Sequence, residues 1–180
     1  AVQIEVYHHL DHQHNVANIL AAARQALTQG YSQWGEFPYQ SLRIAEVPNG
    51  MTEAKVNGNL LIIPEQNTWL HDYRQPPDVD WITFQIARDV SRVWWQQVAI
   101  SDTNGHQLLT EAVPTLQGLK AIKNKWGQIK QTAFVDLLSD TYLRERTLED
   151  QVEASVISLT NEKYAATKAL LALYSSEQLL

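Results

Sequence analysis

The apolar residues of this chain follow two different periods, and the shorter period comes first. Val2, Ile4 and Val6 alternate with polar residues, and a period of two predicts a short strand with one buried face. The segments SLRIAEV (41–47) and NLLIIP (59–64) also predict strands. The second of these is continuously apolar, so we expect both of its faces to be buried.

Helical spacing dominates the rest of the sequence. One helix is predicted from Asp11 to Tyr31, ended by Gly30 and the turn-rich segment SQWGEFPY (32–39). After the break RQPPDVD (74–80), further helices are predicted at 81–100, 106–125, 127–146 and 161–180, with a kink at Pro114 in the second of them. The helix at 81–100 is apolar on nearly every side, so we expect it to be the buried central helix.

Strands first and helices afterwards predict an α+β domain, in which a small N-terminal sheet leads into a mostly helical half. The chain has 180 residues and no linker-like segment, which favours a single domain over residues 1–180. It begins without Met in strand-like sequence and ends in helix-like sequence. We therefore expect it to be a segment excised from a longer chain.

Composition excludes several classes of function. The net charge is −6, and the Lys and Arg residues are scattered, which argues against a nucleic-acid partner. The chain contains no cysteine, so disulfides, thiolate nucleophiles and cysteine-bound zinc are excluded. No apolar run is long enough to span a membrane, and any membrane attachment is expected outside this segment.

Two arginines stand out on the predicted central helix. Arg88 and Arg92 are four positions apart in FQIARDVSRVWWQQ (84–97), so they share one helix face with aromatic residues on either side. Guanidinium groups are rarely buried without a charged partner. We expect a cluster that faces a cleft, and the alternative is a solvated helix face.

The segment RDVSR (88–92) can be laid over the zinc-peptidase motif His-Glu-x-x-His position for position, with Arg88 and Arg92 at the two His positions and Asp89 at the Glu position. It continues as RVWW, and Glu111 in LLTEAVPTL follows Arg92 by 19 residues. These features resemble the aminopeptidase N family of gluzincin zinc metallopeptidases, in which a glutamate at that spacing is the third zinc ligand. The segments QWGEFPYQSLRIAEVP, GNLLIIPE and YAATKALLALY are similar to other parts of the family. The resemblance implies a thermolysin-like peptidase catalytic domain.

The sequence departs from the family at the positions that carry out the chemistry. Arg88 and Arg92 replace both histidine ligands, and a guanidinium group cannot bind zinc because it stays protonated. Asp89 replaces the general base and lies beside two cations. The resemblance puts Ala166 at the position of the catalytic tyrosine and Val56 at that of the glutamate that binds the substrate amino terminus. It therefore implies a domain without catalytic residues, zinc or another cofactor.

The resemblance leads to the expectation of a catalytically inactive pseudo-metallopeptidase that binds a peptide or protein or serves as an assembly module. Its partner is then a peptide, a protein or the rest of a longer polypeptide. We expect Glu111 to pair with Arg88 and Arg92 in place of the lost ion. The candidate cleft residues are Arg88, Asp89, Arg92, Glu111, Val56 and Tyr164.

The lead-in YHH…H…N to the first helix resembles the extracytoplasmic peptidase-like regions of bacterial ABC-type permeases. This resemblance implies an extracytoplasmic location and a place in a transport protein. A purely structural domain with a filled cleft stays open as a third class.

An active metallohydrolase with a non-standard metal site is the alternative function. His8 and His12 have the spacing of a metal-binding pair on a helix, with His9, His14 and Asp11 nearby. The favoured interpretation is a loop-to-helix junction in which Asp11 is the N-cap.

Three aromatic residues, Trp34, Phe37 and Tyr39, are interpreted as packing anchors of a turn. The alternative is a platform on which a ligand stacks.

Overall fold

The computed structural model describes residues 1–48, 50, 54–73, 79–98, 106, 108–147 and 165–178. The chain forms two compact units, Ala1–Trp94 and Trp95–Leu180. The first unit contains the sheet, and the described part of the second is helical. This confirms an α+β chain with a small N-terminal sheet followed by a mostly helical part. The single domain over residues 1–180 stays a prediction.

The sheet of the first unit has four strands in the order β1-β2-β4-β3. Strands β1, β2 and β4 are parallel, while β3 is antiparallel to β4. The three predicted strands are confirmed, and β3 was not predicted because its three residues are too few to show a period. The strands are β1 (Gln3–Tyr7), β2 (Ser41–Val47), β3 (Lys55–Asn57) and β4 (Leu60–Pro64).

Strand β4 is not buried on both faces, so this part of the sequence prediction is wrong. Leu61 and Ile63 are fully buried, whereas Leu60 and Ile62 are half-buried. Successive residues of a strand point to opposite faces, and only one face of this strand is completely covered. A continuous apolar run therefore does not distinguish a strand covered on one side from a strand covered on both.

Helix α1 (Val16–Trp34) follows a 3-10 turn at Leu10–Asn15. The helix ends at Trp34, inside the turn-rich segment that was predicted to end it, and Gly35 is its C-cap. Gly30 does not end the helix as predicted, because it is buried within α1. Gly35 has a φ of +86°, which a glycine adopts easily at the end of a helix. Gly30 lies against the ring of Trp94, where an added Cβ would be 2.4 Å from Cη2.

We expect Gly30→Ala to destabilise the protein by about 1 to 3 kcal/mol, because the methyl group forces the Trp94 ring to move. In an exposed helix the same change would stabilise by up to about 1 kcal/mol through helix propensity, so the sign of the effect reports the packing. Urea unfolding would measure it. In a Trp94→Leu background the penalty should disappear, and a Gly30→Ala variant more stable than wild type would contradict the prediction.

Aromatic residues around Trp94 pack in the way that the sequence predicted. Trp34 and Phe37 make edge-on contacts with Trp94 at centroid distances of 5.5 and 4.9 Å, and Phe37 makes another with Tyr39 at 6.0 Å. The indole Nε1 of Trp94 donates to the carbonyl of Glu36 at 3.1 Å. These contacts confirm that the segment after α1 is anchored by aromatic packing.

Helix α3 (Trp81–Val98) confirms the predicted helix with its buried apolar residues, and a short helix α2 (Glu65–Thr68) precedes it. Its central place in the fold stays a prediction. The apolar stripe of α3 is buried at Ile82, Ile86, Val90 and Val93 but is exposed at Gln97.

The described part of the second unit contains a π-helical turn at Leu108–Ala112 and three helices that pack on one another. The π-helical turn runs directly into α4, and Pro114 lies in the first turn of α4, where proline is tolerated. The predicted kink at Pro114 stays a prediction. Between the last two predicted helices lies the segment TLEDQVEASVISLT (147–160), predicted to be a loop or a short helix, and its residues 148–160 lie outside the described residues. The helices are α4 (Val113–Trp126), α5 (Gln128–Arg146) and α6 (Ala165–Gln178). Among the described residues, no helix is both long and apolar enough to cross a membrane.

Candidate functional site

The start of α3 is fixed by Asp80, whose side chain caps the helix. Its Oδ1 accepts a hydrogen bond from the backbone N–H of Thr83 at 2.9 Å, and its Oδ2 accepts one from the Thr83 hydroxyl at 2.8 Å. A cap of this kind satisfies backbone donors that the first helical turn leaves without partners.

Two turns further along α3, Arg88 and Arg92 converge on Asp89. The Nε of Arg88 donates to Asp89 Oδ1 at 2.9 Å, and the Nη1 of Arg92 donates to the same oxygen at 3.2 Å. The Asp89 side chain is fully buried, whereas the Arg88 and Arg92 side chains are 22% and 12% exposed. We call these three residues the Arg-Asp-Arg cluster.

The surroundings of this cluster exclude the solvated helix face that the sequence left open. The guanidinium carbon of Arg88 lies 5.8 Å from the centre of the Phe84 ring, close enough for a cation–π contact. Phe84 is buried and makes an edge-on contact with Trp81 at 5.9 Å. Within the described residues, Oδ2 of Asp89 is buried without a hydrogen-bond partner. The cluster is thus a mostly buried ion-pair site in which only one of the two Asp89 carboxylate oxygens accepts hydrogen bonds from the described residues.

The structure provides Asp89 as a charged partner for both arginines, and the sequence prediction had named Glu111. Glu111 lies in the π-helical turn of the second unit, and its pairing with Arg88 and Arg92 stays a prediction. A carboxylate directly beside Arg88 in sequence was the available signal, because it can fold back onto a neighbouring guanidinium group.

The other predicted site residues belong to elements other than α3, which carries Arg88, Asp89 and Arg92. Val56 is half-buried in the middle of the edge strand β3, opposite Leu61 of β4. Ala166 belongs to α6. Tyr164 lies outside the described residues. Their place in a cleft stays a prediction.

The aminopeptidase resemblance implies a zinc ion, and the residues at its two histidine positions do not fit that ion. Zinc needs ligands with a free lone pair, which a protonated guanidinium group does not have. Arg88 and Arg92 instead act as hydrogen-bond donors to Asp89. No zinc chemistry can therefore be assigned to these positions.

A second group of titratable side chains lies at the carboxyl ends of the parallel strands β1, β2 and β4. His12 Nδ1 lies 2.5 Å from Glu46 Oε1, and one side-chain ligand atom from each of His12, Glu46 and Glu65 lies within 4.8 Å of the others. The side chains of His12 and Glu46 are 20% and 4% exposed, and Glu65 is half-buried. We call these three residues the His-Glu-Glu group.

The predicted pair of His8 and His12 is not the group that the structure brings together. The ring of His8 stacks on Trp69 at a centroid distance of 6.2 Å, while His12 turns towards Glu46. The prediction that Asp11 is an N-cap is also wrong. His9 is the N-cap of the 3-10 turn, and its Nδ1 accepts a hydrogen bond from the Asp11 backbone at 3.4 Å.

Comparison with known proteins does not identify the family. No protein-family model matches the sequence, and no curated protein matches it significantly. The resemblance to the aminopeptidase N family therefore rests on the motifs quoted above.

Proposed function

We propose that this chain is a catalytically inactive, peptidase-like domain that binds a peptide or protein. The observation that carries the proposal is the Arg-Asp-Arg cluster, which occupies the segment that resembles the His-Glu-x-x-His motif. Both of its guanidinium groups donate to Asp89, and Asp89 is fully buried. A carboxylate held in this way is a poor general base, because it is fully buried and has no contact with solvent or with a substrate in solution.

The order of elements also agrees with the proposed thermolysin-like peptidase fold. A small sheet comes first, a buried helix with the motif segment follows, and helices make up the described remainder. The lead-in to the first helix extends the proposal to an extracytoplasmic region of an ABC-type transport protein. In that setting the domain would bind a peptide or protein, or hold the rest of a longer chain in place.

We expect the protein to bind peptides without cleaving them. A library of fluorescently labelled peptides would be incubated with the protein in the presence of Zn²⁺, binding would be measured by anisotropy, and mass spectrometry would then examine the peptides. Saturable binding of intact peptides would support the proposal. Cleavage that depends on added metal would contradict it and favour the metallohydrolase alternative, and failure of every peptide to bind would favour a purely structural domain.

The zinc positions can be tested separately from peptide binding. We expect no zinc to be bound through Glu111 in the wild-type protein. If the resemblance is correct, the Arg88→His/Arg92→His variant should gain one zinc ion, and adding Glu111→Gln should weaken that binding by roughly tenfold or more. Elemental analysis after dialysis gives the measurement. Zinc that wild type loses on Glu111→Gln would contradict the prediction, and the same zinc content in all variants would remove the support that the motif gives.

A further inference from the structure

The His-Glu-Glu group collects one residue from the end of each parallel strand. His12 lies in the 3-10 turn that follows β1, Glu46 is the penultimate residue of β2, and Glu65 comes directly after β4. Strands β2 and β4 are parallel, with Glu46 opposite Ile63, so the carboxyl ends of the two strands lie side by side at the same end of the sheet, which we call the carboxyl edge. In sheets of parallel strands, this edge is where ligands usually bind.

Hydrogen bonds hold the three segments at this edge in fixed positions. The backbone N–H of His9 donates to Glu46 Oε2 at 2.7 Å, which leaves Oε1 directed at His12. The buried side chain of Asn15 donates to the carbonyls of Thr68, Trp69 and His71. Asn15 therefore ties the turn that carries His12 to the segment that follows Glu65. Such supporting contacts orient metal ligands and increase their affinity.

The chemistry of the three groups suits a divalent transition-metal ion. A neutral imidazole and two carboxylates carry a charge of −2, which one divalent cation balances. A nitrogen ligand together with carboxylates favours Zn²⁺ or a neighbouring transition metal over Mg²⁺ and Ca²⁺.

The spacing of the group is also compatible with such an ion. Ligand atoms in a tetrahedral zinc site lie about 3.4 Å apart when each is about 2.1 Å from the metal. The ligand atoms here are all within 4.8 Å of one another. His12 Nδ1 and Glu46 Oε1 are 2.5 Å apart, so these two side chains have to separate by about 1 Å to admit an ion. We propose that His12, Glu46 and Glu65 form a binding site for one divalent transition-metal ion, with water completing the coordination.

This site is independent of the proposed peptidase-like function and can be tested without it. Zn²⁺ is the probe, added to protein that carries no polyhistidine tag, and isothermal titration calorimetry gives the stoichiometry and affinity. We expect one Zn²⁺ per chain for wild type and for Glu111→Gln. The variants His12→Gln, Glu46→Gln and Glu65→Gln should each weaken binding about tenfold or more, and an excess of Mg²⁺ should not compete.

The matched control is His14→Gln, because His14 belongs to the same 3-10 turn and is exposed. It should bind Zn²⁺ as wild type does. Absence of saturable binding to wild type, or equal losses in His14→Gln and His12→Gln, would overturn the proposal and indicate adventitious binding to surface histidines. If Glu46→Gln does not fold, His12→Gln and Glu65→Gln decide the result, and circular dichroism confirms that they are folded.

Discussion

Replacing Asp89 with asparagine is expected to lower the free energy of unfolding by about 3 to 5 kcal/mol, as removal of one member of a buried ion pair does. Asp89 is fully buried and accepts hydrogen bonds from both Arg88 and Arg92. Asparagine keeps the size of the side chain and an oxygen that can accept these bonds. The loss therefore comes from the missing negative charge beside two mostly buried guanidinium groups.

Urea unfolding of Asp89→Asn beside Asp136→Asn gives the measurement, because Asp136 is an exposed aspartate of α5. The control should change stability by less than about 0.5 kcal/mol. The triple variant Arg88→Met/Asp89→Leu/Arg92→Met should regain part of the loss, since apolar residues can replace a buried ion pair without leaving a charge behind. Equal effects of Asp89→Asn and Asp136→Asn would show that the cluster is solvated and would remove the main support for the proposed function.

The sequence predicted the regular elements of the first unit well where their apolar periods are long enough to be distinctive. Strands β1, β2 and β4 and helix α3 lie where the period indicated. Two of the failed predictions for this unit are the burial of both faces of β4 and the end of α1 at Gly30. Both depend on which other element covers a residue, and the local sequence does not show that. Gly30 resembles a helix stop in sequence, yet it is the contact point for Trp94, which is distant in the chain.

The candidate sites could be predicted only in part for the same reason. The sequence placed Arg88 and Arg92 on one face beside aromatic residues, but the shared oxygen of Asp89 depends on side-chain rotamers that spacing does not reveal. Glu46 and Glu65 carried no signal, because their approach to His12 follows from the parallel arrangement of β1, β2 and β4. A histidine after one strand and glutamates at the ends of two others become informative only once the strand order is known.

Asn15 connects the beginning of α1 to the end of α2 and the segment after it. Its substitution is the second change for which we expect a large loss in the free energy of unfolding. It is 1% exposed. Its amide Nδ2 lies 2.8 Å from the Thr68 carbonyl, 3.1 Å from that of Trp69 and 2.7 Å from that of His71. The Thr68 carbonyl ends the one-turn helix α2 and the other two carbonyls follow it, at a position where backbone acceptors have few partners within the helix. One buried amide thus satisfies acceptors that would otherwise be costly to bury.

Changing Asn15 to aspartate replaces this donor with a negatively charged acceptor that faces three carbonyl oxygens. We expect Asn15→Asp to lower the free energy of unfolding at neutral pH by about 3 to 5 kcal/mol, the cost of an uncompensated buried charge. Asn15→Ala, which loses the hydrogen bonds without adding a charge, should cost about 1 to 3 kcal/mol. Asn124→Asp, at an exposed position of α4, is the control and should have little effect.

The pH dependence of Asn15→Asp distinguishes buried charge from general disruption of packing. Burial and the facing carbonyls should raise the pKa of the introduced carboxyl above the value of about 3.9 that it has in the unfolded chain. Stability relative to wild type is then highest below that pH and falls as the pH rises towards the folded-state pKa, because the unfolded state gives up its proton first. Urea unfolding of both proteins from pH 3 to pH 8 should show the difference between them growing with pH. A difference that does not change with pH would mean that the carboxylate reaches solvent, and that Asn15 does not hold the turn carrying His12 against the end of β4.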